Sequence, residues 1–393
     1  MPPKKVAAVV TEYRKTSHAD VILRNILGGY PDGAKPNLEL VSVVTDQVPK
    51  NDMSRDLAKK HGFTIYGTVA EALTLGGKTL AVDGVLSIGE HGKYPANDKG
   101  QTLYPRRRFF EEICKVFEDT KKSVPVFNDK HLAATWDDAK WMYDRSRKLF
   151  VPFLAGSSVP VTWRRPNLVL PKDCELVGAV QFGYGPFEGY GFHALEGLQC
   201  MVERRKGGET GVKAVTFHPP KTMWESFDKQ EWTKPVLEAG LKLILKHDKG
   251  DVRESTMKSA TAGTFEVEYR DGLRAFVVLL NGWMHDGDGD GGGFIFAGQR
   301  KGQDKPDACQ FYLQTPDPYA HFAELTRAID SLVNTGHAPY PVERTLVTTG
   351  VLDAVMTSRH EKGKRIETPH LEISYKPTEW APAKGDIPKP DKK

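Results

Sequence analysis

The chain has 393 residues, enough for two or three domains that each bury a core. Apolar residues make up 39% and charged residues 27%, which excludes an intrinsically disordered protein. Lys and Arg number 55 against 51 Asp and Glu, and the resulting +4 is too small to argue for nucleic acid or an anionic membrane as a partner. The basic run Arg106, Arg107, Arg108 and the pair Arg164, Arg165 read as helix-start and surface charges. Cys114, Cys174, Cys200 and Cys309 stand far apart with no CxxC pair, which points to free thiols in a reducing compartment. No run approaches the roughly 20 apolar residues of a membrane helix. The short apolar run near the N-terminus is too brief for a signal peptide, so the expected location is cytoplasmic.

In chain order, residues 6–10 are a fully apolar, β-branched run suited to a buried parallel strand. Helical spacing follows over 18–27, where Ala19, Ile22, Leu23 and Ile26 share a face. Strands are expected at 38–44, 64–66, 82–88, 125–128 and 150–154, with helices at 54–61, at 109–117 and after the cap Thr135. Strands alternating with helices at this spacing imply parallel crossovers. Residues 1–158 therefore predict a Rossmann-like, doubly wound parallel sheet.

Beyond that point strands at 167–170, 175–181, 212–217, 263–269 and 273–281 have few helices between them, at 191–203, 235–246 and 318–334. Residues 159–375 predict an α+β domain with a large open, mostly antiparallel sheet and helices on one face. Residues 376–393, rich in Pro and Lys, form a tail that could wrap a neighbouring subunit.

These pieces resemble the Gfo/Idh/MocA oxidoreductase family. Asn128-Asp129-Lys130-His131, followed by Thr135 and an acidic helix start, is similar to the family's strand and Glu-Lys-Pro signature. His18-Ala19 resembles the opening of its first helix, and Thr45-Asp46 the acid that ends its second strand. Gly191-Phe192-His193 through Glu196 resembles the Gly-x-His-x-x-Asp helix start, and Gly336-His337 to Arg365 the closing segment. The resemblance covers roughly residues 4–373. It implies NAD or NADP across the strand ends, a sugar or polyol substrate, and hydride transfer. It places Lys130 and His193 at the reacting hydroxyl and Asp46 at a ribose hydroxyl. It also implies a homo-oligomer, a dimer or tetramer paired through the second-domain sheet.

The chain departs from that pattern. The three glycines of the cofactor fingerprint fall on Val10, Glu12 and Lys15. A carboxylate at Glu12 about 4 Å from a phosphate charge would repel it by roughly 4 kcal/mol at an effective dielectric near 20. The side chains of Arg14, Lys15 and Thr16 could recover part of the contact, with Thr11 also lining the cofactor crevice. The Asp expected four residues before His193 is Gly189, leaving the adjacent Glu188 as a substitute.

His18, Glu90-His91, Asp129 and His131 follow strand ends, where an open parallel sheet binds ligands. With His193 they suggest either a divalent metal site, with His18, His91, His131 and His193 as ligands, or an acid/base cluster. The plain reading is that each satisfies its own helix or loop end. Tyr184 and Tyr190, in a Gly- and aromatic-rich loop before His193, suit stacking on a sugar ring or ordinary packing. The segment from Gly89 through Pro105 reads as part of a lid or pocket wall. Alternate aspartates from Asp286 look like a calcium loop, but position 12 is Ala297 where an EF-hand needs Glu, which favours a solvated hairpin tip.

Three functions fit these residues. One is a sugar or polyol oxidoreductase with a non-standard nicotinamide site. A second is a non-redox carbohydrate-active lyase, hydrolase or isomerase, with or without a metal. The third is a sugar-binding protein without catalysis.

Overall fold

The computed structural model describes residues 2–285 and 293–387. The calcium-loop motif from Asp286 to Gly291 and the last six residues of the tail lie outside the described residues. The chain divides into two compact units. The first comprises Met1–Ala96, Thr102–Ser157 and Phe322–Val342, and the second Asn97–Gln101, Ser158–His321 and Glu343–Lys393.

The first unit runs β1 (Lys4–Val10), α1 (His18–Gly28), β2 (Leu38–Thr45), α2 (Ser54–His61), β3 (Thr64–Ile65), α3 (Val69–Thr74), β4 (Gly84–Ile88), α4 (Arg106–Thr120), β5 (Val126–Asp129), α5 (Trp136–Lys148) and β6 (Phe153–Gly156). Its six strands are all parallel, in the order β3-β2-β1-β4-β5-β6. Val6 through Val10 are wholly buried, as strands covered on both faces must be. The order reverses between β1 and β4, and ligand crevices form beyond the carboxyl ends at such a switch point. The predicted strand–helix series holds; α3, opened by a Thr68–Glu71 capping box, was not read from the sequence.

The second unit begins with β7 (Trp163–Arg165), β8 (Leu176–Gly183), α6 (Gly189–Val202), β9 (Val212–His218), α7 (Glu225–Asp228), α8 (Thr233–Leu241) and α9 (Val252–Lys258). It continues through β10 (Gly263–Tyr269), β11 (Arg274–Leu279), β12 (Phe294–Arg300) and β13 (Asp307–Tyr312). After α10 (Ala320–Thr335), most of which belongs to the first unit, it closes with α11 (Val342–His360) and β14 (Ile366–Glu367). Eight strands form one sheet, β14-β9-β10-β11-β8-β12-β13-β7, antiparallel except at β11–β8. The strand expected at 167–170 lies instead at Trp163–Arg165, and Pro166, which has no N–H to give the ladder, ends it.

The expectation of helices on one face is also corrected. On one side, α6 comes so close that a Cβ on Gly191 would lie 2.9 Å from Phe265 and one on Gly197 3.1 Å from Gln181. On the other, Trp224, Phe227, Val236 and Leu237 of the α7–α8 region pack on Val180, Phe182, Phe276, Val278 and Ile295. A Cβ on Gly178 would lie 2.2 Å from the Trp232 ring. The central strands β10, β11, β8 and β12 are therefore buried on both faces. The sheet through which the resemblance places subunit pairing is covered by the chain itself. The start of the tail also turns inward: Ala383 donates its N–H to Val161 and packs with Trp163 and Tyr312.

A buried polar network ties the C-terminal segment down. Arg344 binds Glu203 through two hydrogen bonds of 2.9 and 2.5 Å, and the Tyr375 hydroxyl donates to the same carboxylate at 2.8 Å. Gln199 donates to Glu209 and to the Tyr375 oxygen, and accepts from Tyr269. The four cysteines are free. Among the described residues no helix is long and apolar enough to cross a membrane.

Candidate functional site

The carboxyl ends of β1, β2, β4 and β5 carry the sequence-predicted residues of the first unit, and the fold brings most of them together. Glu90 is central. Arg106 donates to its Oε2 at 2.5 Å, and the Lys130 ammonium lies 3.6 Å from Oε1. Burial alone would raise the Glu90 carboxyl, but Lys130 and then Arg106 outweigh it and hold it well below the usual carboxylate range. Arg106 is wholly buried and also donates to His131 Nε2 at 2.9 Å. Its stem passes so close to Gly89 that a Cβ there would sit 2.7 Å from Arg106 Cγ. The surface role expected for Arg106 is thus corrected. Arg164 is corrected likewise: it is buried over the Phe311 ring and bonded to the Leu168 carbonyl.

Lys130 leaves β5 in the left-handed region, φ 67°, with its N–H on the Gly156 carbonyl. Asn128 holds this turn by donating to the His131 carbonyl at 3.1 Å. Beside it, the wholly buried Asp129 pairs with His18 Nδ1 at 2.7 Å. A carboxylate on Nδ1 fixes the tautomer and ring orientation, leaving Nε2 as the proton-accepting nitrogen. The His18 ring stands 5.2 Å from the His91 ring and 5.0 Å from Phe322.

The turn after β1 is filled by the chain's own groups. Thr11 gives its hydroxyl to the Glu90 carbonyl at 2.6 Å, and Glu12, only 7% exposed, pairs with Arg14. Several amides around the start of α1 are spoken for. The Thr16 N–H binds Asp20, Ser17 the Arg14 carbonyl, His18 the His91 Nδ1, and Asp20 the Ser17 hydroxyl. Asp46 accepts from Tyr94 at 2.7 Å and from Arg108 at 2.5 Å. Lys15 stays exposed at the rim. These residues do not fit a dinucleotide in the usual way: most amides at the helix start, the ribose acid and the backbone approach at Glu12 are already occupied.

Metal ligation is not supported. His18 faces Asp129, and His131 faces the Arg106 cation rather than an open site. Among the described residues no three His, Cys, Asp or Glu side chains converge as a metal set.

His91 is pushed down to about 4, by burial and then by repulsion from His18. Its folded value lies below the ordinary 6.5, so the neutral ring fits the fold and the stability it contributes is complete above about pH 6.5. As pH falls from 6.5 toward 4 the unfolded chain takes up a proton that the folded chain refuses. We expect up to about 3 kcal/mol to be lost over that window. Urea unfolding across it should show a shallower loss for His91→Gln.

In the second unit, Tyr184, Tyr190 and His193 gather around Phe294, a residue the sequence reading missed. Tyr184 and Tyr190 rings are 5.3 Å apart, and His193 lies 6.1 Å from Tyr190 and 5.9 Å from Phe294. Asn281 fixes their loop by bonding both the N–H and the carbonyl of Gly185. Glu188 sits at the N-cap of α6. Glu196, buried, accepts from Thr345.

No family model and no curated protein matches the chain. Solved structures do. GenD2 from gentamicin A biosynthesis, in complex with NAD, is 12% identical with a TM-score of 0.57, over 93% of this chain and 97% of that one. Myo-inositol 2-dehydrogenase from Lactobacillus plantarum is 11% identical with a TM-score of 0.55, over 93% and 99%. Aldose-aldose oxidoreductase from Caulobacter crescentus, complexed with glycerol, is 13% identical with a TM-score of 0.53, over 93% and 99%. The chain has the fold of the Gfo/Idh/MocA oxidoreductases.

Proposed function

We propose that the chain is an enzyme acting on a carbonyl-bearing carbohydrate, an aldose, ketose or inosose, by proton transfer without net redox, at the crevice of the first unit. The observation that carries this reading is the His18–Asp129 pair beside the Lys130–Glu90–Arg106 cluster, at strand ends whose dinucleotide contacts are already taken. His18 Nε2 removes a proton from a carbon next to a carbonyl, with Asp129 stabilising the imidazolium that forms. The Lys130 ammonium neutralises the enolate oxygen. In an isomerase a hydroxyl proton passes from the neighbouring oxygen to the former carbonyl oxygen through an enediol, and the carbon proton returns to the former carbonyl carbon. In a lyase the enolate breaks the bond to a β-hydroxyl, which takes the proton and leaves as water. In the second unit, His193 with Tyr184 and Tyr190 is the patch suited to a sugar ring.

The test is incubation of the full chain with aldoses, ketoses and inososes in deuterated water without dinucleotide, followed by NMR. We expect deuterium at the carbon beside the carbonyl, reduced at least about a hundredfold in His18→Asn and Lys130→Ala. The likeness to the NAD complex of GenD2 favours a second reading, a sugar or polyol oxidoreductase with a non-standard nicotinamide site. Turnover that appears only on adding NAD or NADP would replace the first reading with the second.

A further inference from the structure

We infer that the segment from Glu90 to Tyr94 is a built-in occupant of the dinucleotide crevice, taking with its own atoms the positions where a pyrophosphate and a ribose would be held. Three contacts carry the inference. The His91 imidazole accepts the His18 amide at the start of α1, where a phosphate oxygen would be bound. The Tyr94 hydroxyl donates to Asp46 at the end of β2, as a ribose hydroxyl would, and Arg108 takes the other oxygen. Between them, Glu90 places a carboxylate against Arg106 and Lys130 at the switch point of the sheet.

The segment is shaped for this place. His91 and Gly92 are both left-handed, at φ 72° and 98°. A side chain at Gly92 would meet the Tyr94 ring at 2.9 Å and Gln47 Oε1 at 3.2 Å. Gln47 brackets Lys93, donating to its carbonyl and accepting its N–H, each at 3.0 Å. With the Thr11–Glu90 bond at 2.6 Å, five hydrogen bonds tie the segment across β1 and β2. Displacing them at roughly fivefold in affinity per bond weakens a dinucleotide on the order of a thousandfold. The Glu12 and Asp20 carboxylates stand at the same helix start, each paired with an arginine, Arg14 and Arg24.

The inference deepens the proton-transfer reading and rests on the same crevice, yet the two fail separately: deuterium incorporation tests that reading, dinucleotide occupancy tests this one. NADH and NADPH are titrated into nucleotide-stripped full-length chain by fluorescence and calorimetry, and amide hydrogen exchange is followed with and without NADH. We expect no saturable binding up to about 1 mM, slow exchange at Lys93, whose N–H is held by Gln47, and no change on adding NADH. Tyr94→Phe, which removes only the hydroxyl on Asp46, should speed exchange at Lys93 by about tenfold while the rest of the first unit is unaffected. Stoichiometric micromolar binding by the unmodified chain overturns the inference. So does rapid exchange at Lys93 in the free chain, since an occupant must be seated.

Discussion

Replacing Arg106 by methionine should lower stability by about 3–5 kcal/mol, because it strips the closest cation from a largely buried carboxylate. The methionine fills the volume of the arginine stem but cannot donate to Glu90 or His131. Lys130, at 3.6 Å, then carries the Glu90 charge alone. For a unit of the size of the first one the loss corresponds to a melting point lower by roughly 10 °C. Urea unfolding of the single variant and of Arg106→Met with Glu90→Met measures it. The double variant should recover part of the loss, because no unpaired carboxylate remains. An unchanged midpoint in the single variant would mean that the guanidinium does not support the site. Acid adds a second readout. Glu90 is held below its unfolded value, so its contribution is complete above the ordinary carboxylate range and is lost as pH falls beneath it. The Arg106 variant should lose much of that acid sensitivity.

Glu203→Leu should be comparably damaging in the second unit, by about 3–5 kcal/mol. It leaves the Arg344 guanidinium, 6% exposed with its residue, without the carboxylate that binds it twice, and it removes the acceptor of Tyr375. The second consequence is local. Tyr375 anchors the C-terminal segment, so limited proteolysis should cut near residues 372–387 much faster in the variant than in the parent chain. Tyr375→Phe, which keeps Glu203 and Arg344 paired, should accelerate the cut with only about 1 kcal/mol of global loss.

Much of the first unit was legible because strands buried on both faces are written as unbroken apolar runs, as in Val6 to Val10. The site residues that directly follow strands, Glu90, His91, Asp129 and Lys130, were legible for the same reason: finding the strand locates its carboxyl end. Arg106 and Arg108 were not, because a triplet of arginines looks like solvated charge until its partners are known. Those partners, Glu90 and Asp46, are distant in sequence and meet only in the fold. One signal did exist: Arg106 lies on the helix face of Phe109, Phe110, Ile113 and Phe117, the buried one. In the second unit α7 and α9 escaped because they are short and densely charged on the outside, whereas α8 overlaps the helix expected at 235–246. Only the spacing of Trp224, Phe227, Trp232 and Val236 hinted at a layer laid on the sheet.

That layer has a thermodynamic consequence. A sheet with one bare apolar face completes its core only when another molecule covers it, and its stability then rises with protein concentration. Here both faces of the central strands are closed within one chain. Completing the core of the second unit therefore takes no second copy, and its unfolding is expected to feel no mass action through this sheet. Its midpoint should stay where it is on hundredfold dilution, and any association of copies must draw its free energy from surfaces other than this sheet.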